Sequence, residues 1–179
     1  MAISCSLNRD LLKVSNCGYV LQSVGTIYLA NASDAEFQYA ADDDYLVTGV
    51  TLAEGSKWYK IEPAKGTASF NDTLNVTDGG SKYRTHSLSF SVVGVYSDEM
   101  QEALDQLSLG SYIALAVFSS GDGVLLGTPD AGLEATAVTN AGSASATEAS
   151  GISVEMSREL TNSAYAFDKE AVKAMIKEA

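Results

Sequence analysis

Few side chains in this sequence have the types and spacing to do chemistry. Asp42-Asp43-Asp44 is the densest carboxylate cluster, and carboxylate oxygens are what a hard cation such as calcium takes. Consecutive residues do not converge on one centre as alternating loop positions do, and the spacing is not that of an EF-hand, so the expectation is a solvated acidic loop. His86 is the only histidine, which excludes any site built on two imidazole ligands. As a lone base it would have Ser87 or Ser89 to activate, but adjacent strand residues face opposite sides, which leaves a structural or exposed histidine as the expectation. The glycines of Gly79-Gly80 and Gly121-Asp122-Gly123 lack the Lys-Ser/Thr of a phosphate loop and the spacing of a dinucleotide fingerprint, and read as turn residues. Trp58, Tyr59 and Tyr112 would suit an aromatic platform for sugar, although strand aromatics more often fill a core or an interface. Cys5 and Cys17 are not spaced as a C-x-x-C redox or zinc pair and read as reduced thiols. No nucleophile, base and orienting group assemble from these residues, so no catalytic, cofactor-binding or metal-binding residue is assigned and a non-enzymatic protein is expected.

The elements that would hold these residues are mostly strands. With 179 residues, 46% of them hydrophobic and 19% charged, the chain suits one globular domain over residues 18–179, preceded by a polar arm over 1–17. Residues 24–30, 46–53, 57–61, 124–127, 133–139 and 152–160 read as strands. The nearly continuous apolar run 112–118 reads as a central strand covered on both faces. Between the first two lie a loop carrying Asn31 and Asp34 and a polar stretch ending at the acidic triplet. Residues 98–107 read as a helix, with Met100, Ala103, Leu104 and Leu107 on one face, Ser97 as N-cap and Gly110 beyond its end. A short C-terminal helix over 169–177 takes Asp168 as N-cap, carries Val172, Met175, Ile176 and Ala179 as its apolar stripe, and staples Phe167 onto Val172. The Ala/Ser/Thr/Gly-rich residues 140–150 read as a mobile loop that orders only against a neighbour.

The longest pattern covers residues 66–93. Thr67, Ser69, Asn71, Thr73, Asn75 and Thr77 alternate with Ala68, Phe70, Leu74 and Val76. After Asp78-Gly79-Gly80, Tyr83, Thr85, Ser87, Ser89 and Ser91 alternate with Leu88, Phe90 and Val92. This is a long β-hairpin with one apolar face and one face rich in hydroxyls and amides. Asp72 interrupts the apolar face and marks either a bulge or the point where the strand leaves the core. A face of this kind suits a solvated wall or an inter-subunit sheet. The net charge of −12 argues against gripping a nucleic-acid backbone, which takes clustered Lys and Arg. The first residues show no basic-then-apolar export signal and no segment is long enough to cross a bilayer, so a cytoplasmic compartment during folding is expected.

The order of features from Trp58 onward resembles the bacteriophage tail tube family. The residues that carry the resemblance are Trp58-Tyr59-Lys60-Ile61-Glu62-Pro63, Gly66-Thr67-Ala68-Ser69-Phe70, the strand 83–93, the helix around Met100 to Leu107, and Val124-Leu125-Leu126-Gly127 with Gly132-Leu133. Upstream, Gly25-Thr26-Ile27-Tyr28-Leu29-Ala30-Asn31 looks like the opening of related tail proteins from phages and prophages of gut Bacteroidetes. The resemblance implies an antiparallel β-sandwich or barrel with one flanking helix. It also implies self-assembly into six-fold rings stacked as a tube, with other tail proteins as partners and DNA passing through without specific binding. The expected location is the virion tail, after assembly in the host cytoplasm. On that reading Thr67, Ser69, Asn71, Thr73, Ser87, Ser89 and Ser91 line the lumen or a ring face, and Asn140, Ser143, Ser145, Thr147 and Ser150 make inter-ring contact. Other phage ring proteins, such as tail terminators, head-completion proteins and baseplate hubs, share this sandwich. A glycan- or receptor-binding β-sandwich module, with 140–150 as its recognition loop, is the alternative from another class.

Overall fold

The computed structural model describes residues 23–93, 97–142 and 151–178. The expected arm 1–17 with both cysteines, the loop residues Ser143, Ser145, Thr147 and Ser150, and Ala179 with the side chain of Ile176, lie outside the described residues. The fold is mainly β. Its strands are β1 (Val24–Asn31), β2 (Ala35–Ala40), β3 (Asp43–Leu52), β4 (Tyr59–Ile61), β5 (Ser69–Val76), β6 (Lys82–Val92), β7 (Ser111–Phe118), β8 (Gly123–Leu126), β9 (Leu133–Ala141), β10 (Gly151–Leu160) and β11 (Tyr165–Phe167). Two helices, α1 (Asp98–Leu109) and α2 (Lys169–Glu178), complete it.

β7 is the hub, and its register explains its composition. One edge pairs with β1 (Ile27↔Ala116) and the other with β8 (Leu115↔Leu125), then through Tyr112↔Leu133 with the start of β9. From β8 the sheet continues through β11 and β3 to β2. From β9 it continues through β10 and β6 to β5. Only two residue pairs join these halves at β7 and β9, so the sheet folds over there into a sandwich-like arrangement. Ile113, Leu115 and Val117 face one buried cluster with Tyr28, Phe37, Val47, Phe167 and Val172. Tyr112 and Ala114 face a second, where Ile27, Leu29 and Leu126 meet Leu88, Phe90, Ile152, Val154 and Met156 of β6 and β10. A strand buried on both faces has no polar side to alternate with, hence the continuous apolar run.

The helices seal this core as their patterns imply. The Ser97 hydroxyl accepts the Met100 amide at 3.2 Å, and Met100, Leu104 and Leu107 rest on the second cluster. Asp168 Oδ1 accepts the Glu170 and Ala171 amides at 2.9 and 3.0 Å, and Phe167 and Val172 share the first cluster.

Four expectations are corrected. The polar stretch ahead of the acidic triplet is strand β2, in which Ala35 and Phe37 are buried while Glu36 and Gln38 are exposed. The loop shrinks to a turn at 41–42, and Asp43 and Asp44 open β3, with Asp43 Oδ1 accepting the Tyr45 amide at 2.9 Å. The sheet is open and mixed rather than wholly antiparallel, because the three-residue β11 runs parallel to β3 while antiparallel to β8. The strand expected over 57–61 is pared to β4, which pairs with β1 through Ile27↔Ile61.

A hydroxyl-lined sheet face as the candidate functional site

The hairpin forms in the register its alternation implies. A tight turn with Gly80 at φ 82° brings Val76 opposite Lys82, and the chain then pairs without a break to Ser69↔Ser89. Asn71 therefore faces Ser87, and Thr73 faces Thr85, on one side of the sheet. Ser69, Asn71, Thr73, Ser87, Ser89 and Ser91 all meet on this face, as expected. Thr67 does not: it precedes β5, and its hydroxyl bonds the Ala64 carbonyl at 2.7 Å and takes the Ser91 amide at 3.3 Å, fastening the turn to the end of β6.

The face is wider than the hairpin. β10 adds Ser157 opposite Ser87, Glu155 opposite Ser89 and Ser153 opposite Ser91, and β9 adds Thr139 opposite Ser153. Four strands at about 4.8 Å spacing, the longest of eleven residues, make a wall on the order of 15 by 35 Å. Its hydroxyls bond one another across strands: Ser69 with Ser89 at 2.8 Å, Ser91 with Ser153 at 2.9 Å, and Asn75 Nδ2 to Thr85 Oγ1 at 2.8 Å. None of its register positions holds Lys or Arg. Its formal charges are Glu155, Glu159 and Glu134, the last in an ion pair with Arg158 at 2.5 Å. Asn140 sits on β9 opposite Ile152, exposed but with the parity of the other face. The alternation of β10 was readable in the sequence, but its pairing with β6 was not, so Ser153, Glu155 and Ser157 escaped the sequence reading.

Behind this wall the even-numbered positions of the hairpin hold a polar clip. His86 is fully buried. Its Nδ1 accepts the Gly127 amide at 3.2 Å and its Nε2–H donates to the Asn162 carbonyl at 3.1 Å, which fixes the tautomer. Burial pushes the imidazole below its ordinary value, against the opposing pull of the Asp72 carboxylate 3.7 Å away. Burial also acts to raise Asp72, but the Arg84 hydrogen bond at 2.6 Å, the Ala164 amide at 3.0 Å and the charges of Arg84 and His86 outweigh it and hold Asp72 below the usual carboxylate range. Both imidazole nitrogens are engaged in the core, so neither serves Ser87 or Ser89 on the far face. Asp72 sits in unbroken register and makes no bulge. It marks the exit of β5 from the core, since Leu74 and Val76 beyond it are 52% and 59% exposed.

Trp58, Tyr59 and Tyr112 do not come together as an aromatic platform. Trp58 packs on the first cluster, Tyr112 is buried in the second with its hydroxyl on the Gln106 carbonyl, and Tyr59 is exposed under the Lys57 ammonium. A different trio, Phe37, Tyr39 and Tyr165, meets edge to face at 5.6–6.3 Å beside a cleft of about 510 Å³ that also takes in Glu36 and Asp130. Burial and the Tyr39 hydroxyl push the Tyr165 phenol up to about 12. Among the described residues no three His, Cys, Asp or Glu side chains converge on a metal-sized site, and no helix is long and apolar enough to cross a membrane. Comparison with protein-family models, with curated proteins and with solved structures finds no match.

Proposed function

We propose that this chain is a non-enzymatic virion structural protein, a tail tube subunit that self-assembles into stacked six-fold rings and forms the conduit through which DNA is delivered. The observation that carries this reading is the four-stranded hydroxyl face of β9, β10, β6 and β5. It is a broad, solvated wall with no basic side chain in its register, backed by the sandwich core, and it ends at β5, whose outer edge has no strand partner among the described residues. An open edge of eight residues is a template for pairing with another chain. A wall with no Lys or Arg in its register, and with the neighbouring Arg158 tied to Glu134, offers little purchase to phosphates, which is what a conduit for DNA needs. The protein would assemble in the host cytoplasm, join other tail proteins, and take no cofactor.

Negative-stain electron microscopy of concentrated protein, with light scattering for solution mass, tests the reading. Hollow rings or tubes of uniform width support it. A chain that stays monomeric at every concentration and binds a specific saccharide on a glycan array overturns it. That outcome would favour the second reading, a saccharide-binding module, for which the Tyr39 and Tyr165 cleft with its Glu36 and Asp130 carboxylates is the suitable feature.

A further inference from the structure

The cleft of about 510 Å³ beside β2 is lined by Phe37 and Tyr39 of that strand and by Tyr165 of β11. Their ring planes meet at 64–83° with centroids 5.6–6.3 Å apart, so no two of them lie parallel as a flat shelf for a sugar ring. Rings set at steep angles make a corner instead. The face of an aromatic ring is the negative side of its quadrupole and attracts a cation held within about 6 Å of the centroid. Tyr39 is 45% exposed, so part of this aromatic surface is open to a ligand.

The charges around the cleft have the same preference. Glu36 on β2 and Asp130 in the turn between β8 and β9 both line it, both are exposed, and neither has an ion-pair partner among the described residues. None of the lining residues is Lys, Arg or His. The net charge of −12 adds a field that draws cations toward the whole molecule. A bare metal ion is the wrong occupant, because among the described residues no three His, Cys, Asp or Glu side chains converge, and a cleft of this volume is of the size that takes a small organic molecule.

The aromatic corner is also held in place. Asn162 Nδ2 donates to the Tyr165 hydroxyl at 2.8 Å, and the Asn162 carbonyl accepts from His86 Nε2 at 3.1 Å, which ties the Tyr165 ring to the buried clip. Phe37 is buried in the first cluster, and Tyr165 packs on the same cluster. A site formed before its ligand arrives keeps the affinity that ordering would otherwise cost.

We propose that this cleft binds an organic cation of the alkylammonium class, with the three rings against its carbon atoms and the Glu36 and Asp130 carboxylates facing its charge. A quaternary ammonium head, compact, apolar in surface and permanently charged, answers both demands. β2 and β5 are the opposite ends of the sheet order, so this inference goes beyond the self-assembly reading and does not depend on it.

Isothermal titration calorimetry of the full chain with choline tests it, against the neutral isostere of choline in which a quaternary carbon replaces the nitrogen. The expected result is saturable 1:1 binding of choline, at least tenfold tighter than the isostere. Tyr39→Leu removes one ring at a partly exposed position, and Glu36→Gln with Asp130→Asn removes the charge at exposed ones. Each should weaken choline binding by about three- to tenfold, the scale of a single cation–π contact, and circular dichroism melting checks that each variant keeps its fold. A peptide carrying one trimethyl-lysine separates the sources of the cation. Tighter binding than choline upholds the site and assigns the cation to a partner protein, and binding no tighter upholds it for a free small molecule. Heats that do not saturate with choline, equal binding of the neutral isostere, wild-type affinity in both variants, or saturation by a saccharide in place of choline overturns the site.

Discussion

Replacing His86 with leucine should destabilise the protein by about 2–6 kcal/mol, because it strips one buried and one partly buried backbone group of their partners at roughly 1–3 kcal/mol each. The Gly127 amide loses its acceptor at 3.2 Å and the Asn162 carbonyl loses its donor at 3.1 Å. Leucine is close enough in volume that a cavity adds little. Against a typical domain stability of 5–15 kcal/mol this is a large loss, readable as a shift in the urea midpoint. A pH arm isolates the imidazole. Burial first, opposed by the Asp72 carboxylate and the Asn162 carbonyl, lowers the folded His86 below the unfolded value of 6.5. A group that binds its proton more tightly when unfolded favours unfolding on acidification. Its contribution is therefore complete above pH 6.5 and is lost as pH falls from there toward the lowered folded value, by at most about 1.4 kcal/mol per pH unit. His86 is the only histidine, and the shifted carboxylates, Asp34, Glu62, Asp72 and Asp122, are all moved further down. The slope of stability between pH 5 and 6.5 should thus be present in the wild type and absent in His86→Leu. A variant within 1 kcal/mol of the wild type, or one that keeps the slope, refutes the clip.

Three further outcomes are expected. Gly132→Ala should lower stability by about 1–3 kcal/mol, since the new Cβ would stand 2.6 Å from the Ala32 Cβ, 2.7 Å from the Ser111 hydroxyl and 2.8 Å from the Tyr112 amide, and only a backbone shift relieves all three; an unchanged melting temperature would count against this packing. Asp72→Asn should cost about 1–3 kcal/mol in urea titration by taking the charged partner from Arg84. It should also flatten the acid limb, because a carboxyl lowered in the folded state stabilises above its unfolded value of 3.8 and loses that contribution as pH falls through the folded one. Ser87→Lys with Ser89→Lys should leave the fold intact but make assembled particles retain duplex DNA in a salt-dependent way, measured by electrophoretic retardation; particles that ignore DNA as the wild type does would remove this face from the DNA path.

The sequence made the hairpin legible because its period of two is sustained over eight and eleven residues around a glycine turn, and because one face is apolar except at Asp72 on β5 and at Lys82, Arg84 and His86 on β6. β7 was legible for the opposite reason, a run with no polar side. What escaped was whatever depends on partners remote in sequence. β2 looked like loop because Glu36, Gln38 and the following tyrosine hide an alternation with only Ala35 and Phe37 buried. β11 is three residues long and exists because β3 and β8 leave a slot between them. The role of His86 could not be read at all, since its two partners lie 41 and 76 residues away. The site was half legible for the same reason: the hairpin supplied two of its strands, and the other two enter only through the pairing of β10.

The two sides of the hairpin are answerable to different requirements, and the strand period keeps them separate. Even positions fasten it to the rest of the molecule, through Leu88 and Phe90 in the core and then through the His86 and Asp72 clip. Odd positions carry hydroxyls that bond mainly to one another and present no base. Beyond Asp72 the fastening ends while the alternation continues, so Leu74 and Val76 remain apolar and more than half exposed among the described residues. β5 also lacks the proline and lysine by which edge strands discourage pairing, and its one inward charge is neutralised by Arg84. A monomer gains nothing from an uncovered apolar end and an unguarded edge on the same strand, and both expose it to aggregation. On the tube reading the same two features become contacts between subunits.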